Sequence, residues 1–356
     1  MASLMSDRVR AQLCALLDRP DAGTVTEEVI HYAREHGLHL VLANRCVVPQ
    51  LSGEHRGAVA LEAAREVELR RVLETLTMSG LRAVLIKGAA VARTHYRRPE
   101  SRPRLDADLM IPEQGRARAL AILEGLGYAQ PAETGGELCV SQFHCQRTDE
   151  HGITHALDVH WRISNVLAFA DVLSYDELAG AAVPLPALGP GALAPCPAHS
   201  LVIACTHRIA HHRDTSRLLW LYDIHLLSDS LSTEDRDLVA AIAERRQIRR
   251  VCAISLRRTH DAFGGSAGAL AERLEPPPGT VEASATLFDT PMRTIDVFAA
   301  DIRTIGGWRE RARLAREHLF PPPAYMFARF GTRRSLWLPW LYCRRIVAGA
   351  PKWFRP

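Results

Sequence analysis

The chain has 356 residues, of which 47% are hydrophobic, and a formal net charge of +4 at pH 7. This length can supply two domains of ordinary size, or one domain with substantial additions, and the composition can fill such cores, so we expect a globular protein. The mild positive charge neither requires nor excludes a polyanionic partner. No apolar run is long enough to span a membrane, and the first segment resembles an amphipathic helix instead of a signal peptide, so we expect a cytoplasmic protein.

The N-terminal part of the chain, residues 1–80, is predicted to be helical. Apolar side chains between Leu69 and Leu76 recur at intervals of three and four residues, which is the period of one helix face. Gly80 follows at the point where a left-handed cap would end such a helix. We therefore expect a helical region in front of the first strand.

The middle of the chain, residues 81–183, is predicted to be a small α/β core. Short apolar runs and periodic segments alternate along it, separated by glycines and turn residues. The predicted elements are a strand at 83–86, a helix at 88–96, a strand at 105–111, a helix at 114–126, and strands near 137–147 and 153–163. With helices on both sides of this core, the sequence predicts an α+β fold.

The remainder of the chain is predicted to be helical, behind a break in composition. Residues 184–199 are rich in proline, glycine and alanine, and we interpret them as a linker. Residues 200–356 are predicted to form a C-terminal helical region with a basic, aromatic tail. Asp223 stands in an apolar helix there. Because a buried charge is costly, it needs an arginine partner, such as Arg217 or one from another helix.

Two aspartates separated by one residue, Asp106 and Asp108, are the most informative feature of the sequence. In a strand, alternate side chains share a face, so these carboxylates point one way while Leu105 and Ala107 point into the core. Two like charges this close repel each other unless a cation lies between them. The pair therefore indicates a cation site.

A later strand has the same pattern, with Asp158 and His160 on one face and apolar side chains on the other. If the two strands are neighbours in one sheet, three carboxylates converge. Oxygen ligands of this kind suit Mg²⁺, and two ions about 3.5 to 4 Å apart can stabilise a displacement at phosphorus. We predict a site for two Mg²⁺ ions, with Mn²⁺ as the alternative, held by Asp106, Asp108 and Asp158.

Lys87 and Gly88 suggest a place for the phosphates. Only two of the 44 basic residues are lysines, Lys87 and Lys352. An ammonium group differs from a guanidinium in size and hydration, so Lys87 is a candidate for a role that arginine cannot fill. Gly88 lets the backbone approach a ligand, and the helix start offers N–H groups to an anion. This step predicts a triphosphate site in which Lys87 neutralises phosphate charge.

These motifs resemble those of the uncharacterised nucleotidyltransferases of the polymerase-beta-like superfamily. The resemblance rests on four stretches, which are LIKG at 85–88, RPRLDADL at 102–109, LGY at 126–128 and LDVHW at 157–161. It extends from about residue 30 to the helices near residue 230. It implies a small mixed-sheet polymerase-beta-like nucleotidyltransferase core, flanked by N-terminal and C-terminal helical regions.

The resemblance also implies an activity, the transfer of a nucleoside monophosphate from a nucleoside triphosphate such as ATP to a hydroxyl group, with release of pyrophosphate. It implies that Asp106, Asp108 and Asp158 are catalytic metal ligands and that Asp158 activates the acceptor hydroxyl. Lys87 and Gly88 stand where the wider superfamily has a Gly-Ser step, which leaves open how phosphate is bound and whether the family is catalytic. The acceptor, a small molecule or a protein, and the oligomeric state stay open.

Arg102 and His160 complete the expected nucleotide-binding set, together with Lys87 and Gly88. Arg102 could reach phosphates, although a solvated loop arginine is an equally good interpretation in so arginine-rich a chain. His160 shares a face with Asp158 and is expected to orient it or to touch the substrate.

Two other functions stay open. A non-catalytic nucleotide-binding scaffold, serving a partner in a biosynthetic pathway, would keep the fold without turnover. A nucleic-acid-modifying transferase would use residues 329–356, where basic residues and tryptophans are mixed and no acidic residue occurs. Such a tail suits nucleic acid or an anionic membrane surface. We favour the simpler interpretation that a terminal helix packs its aromatic side chains on the domain.

Overall fold

The structure of the chain is a computed structural model. It describes residues 2–131, 136, 138, 140–212, 215, 217–282, 284, 285, 288 and 293–354, and of residues 2–6 it describes the backbone alone. Within this part, the chain forms 17 α-helices and six β-strands. The α+β class predicted from the sequence is confirmed.

Four helices precede the first strand, and they are α1 Ala2–Asp18, α2 Glu27–Glu35, α3 His39–Arg45 and α4 Ser52–Met78. The predicted apolar face of α4 is buried at Leu69 and Leu76. Gly80, just past the end of α4, has a φ of 72°. Because residues with a side chain avoid that conformation, glycine ends this helix without strain.

The central sheet has the strand order β1-β2-β4-β3. Its strands are β1 Val84–Ile86, β2 Ala107–Met110, β3 Gln142–Thr148 and β4 Thr154–His160. β1 and β3 run antiparallel to their neighbours, whereas β2 and β4 pair in parallel. Helix α5, Lys87–Thr94, follows β1, and helix α6, Arg116–Gly125, follows β2. The sheet is therefore mixed, and its two central strands are the ones with the predicted carboxylates.

One face of this sheet is apolar and packs against α4 and α6. The side chains that share this core include Leu85, Leu109, Leu157, Val159, Val72 and Leu123. Ala107 lies on the same face, as predicted. The prediction for Leu105 is wrong, because this side chain is 85% exposed. β2 begins only at Ala107, so the alternation of a strand does not extend back to Leu105.

Two short helices and two short strands follow β4, and they are α7 Leu167–Ala170, α8 Tyr175–Gly180, β5 Val183–Pro184 and β6 Leu193–Ala194. β5 and β6 pair antiparallel. The stretch 184–199, interpreted above as a linker, therefore contains most of this strand pair. Leu188 and Ala194 are fully buried in the core beneath the apolar face of the sheet. The division of the chain into domains stays a prediction.

The C-terminal half of the described chain is helical from Pro197 onward. Its helices are α9 Pro197–Ala210, α10 Leu218–Ser230, α11 Thr233–Arg245, α12 Arg249–Phe263, α13 Ala267–Leu274, α14 Thr294–Thr304, α15 Trp308–Leu319, α16 Pro323–Phe330 and α17 Leu338–Trp353. Helices α9 to α13 share one core with α1, α2 and α3. Among the described residues, no helix is long and apolar enough to cross a membrane.

Candidate active site

The parallel pairing of β2 and β4 brings predicted carboxylates together. Asp108 lies directly beside Asp158 in the register of the two strands, and His160 lies beside Met110. Because alternate residues of a strand share a face, Asp108, Asp158 and His160 project from the same side of the sheet. This side faces α9 and α10, which line a common cavity with it. The sequence predicted that the carboxylates converge only if these two strands are neighbours, and in the structure they are.

Lys87 provides the cation nearest to these groups. Its Nζ atom is 2.8 Å from Asp108 Oδ1 and 3.2 Å from His160 Nε2. His160 Nε2 is in turn 2.9 Å from Asp108 Oδ1, so the three atoms form a closed triangle. The side chains of Lys87, Asp108 and His160 are only 8%, 11% and 0% exposed. The protein itself thus neutralises the buried Asp108 carboxylate.

An unusual backbone conformation accompanies this placement of Lys87. It is the first residue of α5, directly after Ile86 of β1, and its φ is 52°. A left-handed conformation is uncommon for a residue with a side chain, and it costs on the order of 1 kcal/mol or more. Such strain persists where surrounding contacts hold it, and it concentrates at functional sites. Here the contacts with Asp108 and His160 hold Lys87 in place.

The charges of this triangle follow from its environment. Burial alone would raise the pKa of Asp108, but the Lys87 ammonium and the hydrogen bond with His160 outweigh burial and hold that pKa well below its usual value. Burial and the positive charge of Lys87 both lower the pKa of His160. At neutral pH, Asp108 is therefore ionised and His160 is neutral. A neutral imidazole is the form that can bind a metal ion.

Asp158 is held by the neighbouring strand β3. Gln142 Nε2 donates to Asp158 Oδ2 at 2.9 Å, and His144 Nδ1 is 2.8 Å from Asp158 Oδ1. Both contacts follow from the antiparallel register, which sets His144 beside Asp158 and Gln142 beside His160. Neither Gln142 nor His144 was predicted from the sequence as a site residue. The same alternation of faces, applied to β3, could have found both.

Asp108, Asp158 and His160 could hold a metal ion. Their ligand atoms all lie within 4.8 Å of one another, and no other group of three or more His, Cys, Asp or Glu side chains in the described part of the chain does so. Carboxylates suit Mg²⁺ and Mn²⁺, and imidazole is a common ligand of transition metals. The donor set therefore fits a divalent ion, with His160 in the group and Asp106 outside it.

Asp106 lines the same cavity, one residue before β2 begins. Its side chain is exposed. Even so, partial desolvation and the negative charges of Asp108 and Asp158 raise its pKa. Asp106 is thus close enough to both carboxylates for their charges to act on it. Its role as a metal ligand stays a prediction.

Arg102 is buried and paired with Asp223 of α10. Arg102 Nε is 2.9 Å from Asp223 Oδ1 and Nη2 is 2.6 Å from Oδ2, which makes a two-pronged ion pair. The Tyr96 hydroxyl also donates to Asp223 Oδ1, at 2.7 Å. The partner that Asp223 requires is therefore Arg102 and not Arg217. The interpretation of Arg102 as a solvated loop residue is wrong.

Gly88 lies between this ion pair and Lys87. A Cβ atom added at Gly88 would lie 2.2 Å from Arg102 Nη1. The guanidinium cannot easily withdraw, because Asp223 holds two of its nitrogens. Glycine is therefore needed for the close approach of Arg102 to the start of α5. The arrangement puts a fixed positive charge beside the predicted phosphate site, and contact of Arg102 with phosphate stays a prediction.

These groups line one cavity of about 630 Å³. Its wall includes His211 and His212, which directly follow α9, and Trp220 of α10. The rings of His212 and Trp220 are stacked, with centroids 3.4 Å apart. Burial and nearby positive charges, including that of Lys87, lower the pKa of His211 to about 3 and of His212 to about 4. The cavity is large enough for a nucleotide-sized ligand and combines a charged floor with uncharged aromatic groups.

The mixed sheet, its acidic face and the adjoining cavity define the chain as an α+β protein with a candidate metal centre. A family model described as uncharacterised nucleotidyltransferase matches residues 22–264, so the chain belongs to this nucleotidyltransferase family. That range contains the whole central sheet together with α9 and α10. The resemblance to the uncharacterised nucleotidyltransferases found in the sequence is confirmed. No curated protein matches the chain.

Proposed function

We propose that the chain moves a nucleoside monophosphate from a nucleoside triphosphate to a hydroxyl acceptor and releases pyrophosphate. The observation that supports this proposal most directly is the register of β2 and β4, which sets Asp108 beside Asp158. Divalent ions at these carboxylates, Mg²⁺ above all, would neutralise the triphosphate and stabilise the charge that develops at phosphorus. We further propose that the small mixed sheet is a polymerase-beta-like core.

The residues around the carboxylates suit the other parts of such a reaction. The start of α5 offers backbone N–H groups to the triphosphate, and Gly88 keeps the approach open. Lys87 is close enough to neutralise phosphate charge. Asp158, oriented by His144 and Gln142, is the candidate to accept the proton of the acceptor hydroxyl.

The remaining assignments belong to the same proposal. Asp106, Asp108 and Asp158 would hold two ions, Mg²⁺ or alternatively Mn²⁺, and His160 would be a further ligand of one of them. Arg102, held in place by Asp223, would add positive charge for the phosphates beside the start of α5. The nucleoside triphosphate would occupy the cavity, and the acceptor would be a small molecule or a protein.

The experiment that tests this proposal is calorimetric titration with ATP, GTP, CTP and UTP, each with and without Mg²⁺. We expect the chain to bind at least one nucleotide in a Mg²⁺-dependent manner. In an Asp106→Asn, Asp108→Asn double variant, that binding is expected to weaken by about tenfold or more, because two carboxylate ligands are lost.

A charge-matched control distinguishes the site from a general change in net charge. Asp18 and Asp171 are 75% and 79% exposed at the surface, and the Asp18→Asn, Asp171→Asn double variant makes the same charge change away from the cavity. This control is expected to bind like the unchanged chain. Absence of Mg²⁺-dependent binding of all four nucleotides to a folded chain contradicts the proposal.

A specific observation also favours the second candidate, a non-catalytic nucleotide-binding scaffold. Lys87 already neutralises Asp108 within the protein, so the acidic face is stable without an added ion. A scaffold would bind nucleotide in the same titration but release no pyrophosphate from it, whatever hydroxyl compound is offered. Pyrophosphate release thus separates the two candidates.

A further inference from the structure

The Lys87 ammonium contacts two of the three residues of the candidate metal site. Its Nζ atom lies within hydrogen-bonding distance of Asp108 Oδ1 and His160 Nε2. Nζ donates to Asp108 Oδ1, and its positive charge repels a divalent ion that approaches Asp108 and His160. An ion that binds between these two residues must therefore displace Lys87.

Displacement of Lys87 has a cost that depends on what arrives with the ion. The Lys87 side chain is only 8% exposed, so an ammonium group expelled from Asp108 needs another anionic partner nearby. A free aqueous ion brings none. An ion bound to a polyphosphate brings negative oxygens that can accept hydrogen bonds from Nζ. The start of α5, where Lys87 lies, is also where such an anion is expected to bind.

We propose that Lys87 blocks the site against free divalent ions and yields it to an ion that arrives with a polyphosphate. This inference deepens the proposed function and rests on it for the identity of the polyphosphate as a nucleoside triphosphate. The left-handed backbone conformation of Lys87 contributes to this block, because it accompanies the placement of the ammonium beside Asp108. Metal and polyphosphate binding are then coupled, each strengthening the other.

The test measures the Mn²⁺ retained with the protein in equilibrium dialysis, with Mn²⁺ alone and with Mn²⁺ plus inorganic triphosphate, and corrects each value with a protein-free sample because triphosphate itself binds Mn²⁺. The unchanged chain is expected to bind free Mn²⁺ weakly and to bind it at least about tenfold more tightly when triphosphate is present. In Lys87→Met, binding of Mn²⁺ alone is expected to strengthen by about tenfold or more, and the dependence on triphosphate is expected to shrink.

The chain offers a matched control and a second variant. Lys352 is the only other lysine and is exposed, so Lys352→Met removes the same charge away from the site and is expected to leave Mn²⁺ binding unchanged, with or without triphosphate. If Lys87→Met does not fold, Lys87→Gln replaces it in the test, because the glutamine amide can still donate a hydrogen bond to Asp108. Equal binding of Mn²⁺ alone by the unchanged chain and a folded Lys87 variant overturns the proposal. A third result is tighter Mn²⁺ binding by the Lys87 variant while the unchanged chain binds no nucleotide. This result would support the block by Lys87 and would show that a nucleoside triphosphate is not the polyphosphate that relieves it.

A second, independent observation concerns helix α17, which has apolar side chains on two opposite faces. Its inner face packs on the protein, with Leu341 2% exposed and Trp353 against Phe298 at a centroid distance of 5.4 Å. This much agrees with the interpretation of a packed terminal helix. The outer face is different, since Trp340 and Val347 are 51% and 73% exposed.

The outer face forms a continuous stripe. Exposed apolar residues recur at intervals of four or seven positions along α17 and beside its two ends, and they are Leu336, Trp340, Val347 and Phe354. The same stretch of chain is basic, with Arg333, Arg334, Arg344 and Lys352 exposed in it, and residues 318–356 contain no aspartate or glutamate. The Arg344 guanidinium lies over the Trp340 ring, 5.4 Å from its centroid. Apolar and cationic groups thus share one surface outside the range matched by the family.

We infer that this surface binds an anionic lipid membrane. A helix with exposed tryptophan, aliphatic and phenylalanine side chains beside arginines suits the boundary between lipid headgroups and acyl chains. The aliphatic members would find no stacking partner on nucleic acid. A second copy of the same surface would bring together positive charges without acidic partners. Charge and apolar area therefore both favour lipid.

The test is sedimentation of the full chain with vesicles of phosphatidylcholine alone or mixed with phosphatidylglycerol. Binding to the mixed vesicles is expected, and it should weaken as salt is raised. The Trp340→Ser, Val347→Ser variant is expected to bind about tenfold more weakly, because two membrane-facing apolar side chains are lost. The control is Val59→Ser, Val67→Ser on α4, where the two valines are 43% and 69% exposed.

Three results overturn the membrane inference. One is no binding to the mixed vesicles, and another is equal loss in the α17 variant and the α4 control. The third is binding to RNA that the Trp340→Ser, Val347→Ser variant reduces while vesicles fail to bind, which would assign the surface to nucleic acid instead. The nucleotide titration and the Mn²⁺ measurement do not depend on this result, so the proposals can fail separately.

Discussion

Replacing Asp223 with asparagine is expected to lower the free energy of unfolding by about 3 to 5 kcal/mol. The change leaves the Arg102 guanidinium buried without its counterion, and an unpaired buried charge costs this much. The Tyr96 hydroxyl would also lose a charged acceptor. Urea unfolding followed by circular dichroism measures the effect as a lower transition midpoint at unchanged slope.

The control for this prediction is an equivalent pair at the surface. Asp237 is 61% exposed and lies 2.6 Å from an Arg273 nitrogen, so Asp237→Asn removes an ion pair that solvent already screens. Its cost is expected to stay below about 1 kcal/mol. An Arg102→Met, Asp223→Leu double variant removes both buried charges and should recover part of the loss. A cost for Asp223→Asn no larger than that of Asp237→Asn would show that burial of the pair has been overestimated.

The Arg102 and Asp223 pair also has a functional consequence. It joins α10 to the loop that precedes β2, and the same guanidinium lies against Gly88. Loss of the pair would therefore loosen the start of α5 as well as the core. We expect Asp223→Asn to weaken nucleotide binding in the calorimetric titration in addition to its effect on stability.

The periodicity of the sequence was sufficient to predict the two faces of the central strands. Alternation in a strand is a local property, so Asp108 and Asp158 could be assigned to a polar face without knowing what lay beside them. The same argument was wrong for Leu105, because the pattern does not say where a strand begins. Strand ends depend on the neighbour with which the backbone forms hydrogen bonds, and β2 meets its partners only from Ala107 onward.

Contacts between distant parts of the chain could not be predicted from these patterns. Asp223 clearly needed an arginine, but the chain has many and the actual partner is 121 positions away. The position of Lys87 could not be predicted either, because it depends on a left-handed residue that is rare outside glycine. A lysine before a glycine was expected to bind phosphate, whereas in the structure it binds Asp108. The Arg102–Asp223 pair and the Lys87–Asp108 contact both depend on how distant parts of the chain pack together.

The candidate metal ligands show the same difference between what a local pattern predicts and what packing decides. His160 shares a face with Asp158 in any strand, and it was expected to touch the substrate or orient its neighbour. Its placement within hydrogen-bonding distance of Asp108 follows from the parallel register of β2 and β4, which only the structure reveals. Asp106, the ligand favoured by sequence, lies just outside β2 and so is less constrained by the sheet. Register therefore decides which side chains meet.

Replacing Asp108 with asparagine is expected to reduce nucleotide transfer by about a thousandfold or more. Asp108 has a strongly depressed pKa and shares the centre of the site with Asp158 and His160, so its charge is fully available at neutral pH. An amide of the same shape keeps one oxygen but removes the charge that would hold the ion and the triphosphate. The loss should appear in the transfer rate more than in the fold.

Pyrophosphate release is the measurement for Asp108→Asn, with the nucleotide selected by calorimetry. Transfer to water, which yields the monophosphate and pyrophosphate, provides a signal before the acceptor is known, and hydroxyl compounds that raise it are candidate acceptors.

The exposed Asp171→Asn variant serves as the control for an aspartate-to-asparagine change away from the site and should retain the full rate. Because the Asp108→Asn change would also leave the Lys87 ammonium without its counterion, the melting temperature of each variant is measured alongside. Retention of the full rate by a folded Asp108→Asn variant would remove this carboxylate from the reaction, and with it the central argument for metal-dependent transfer.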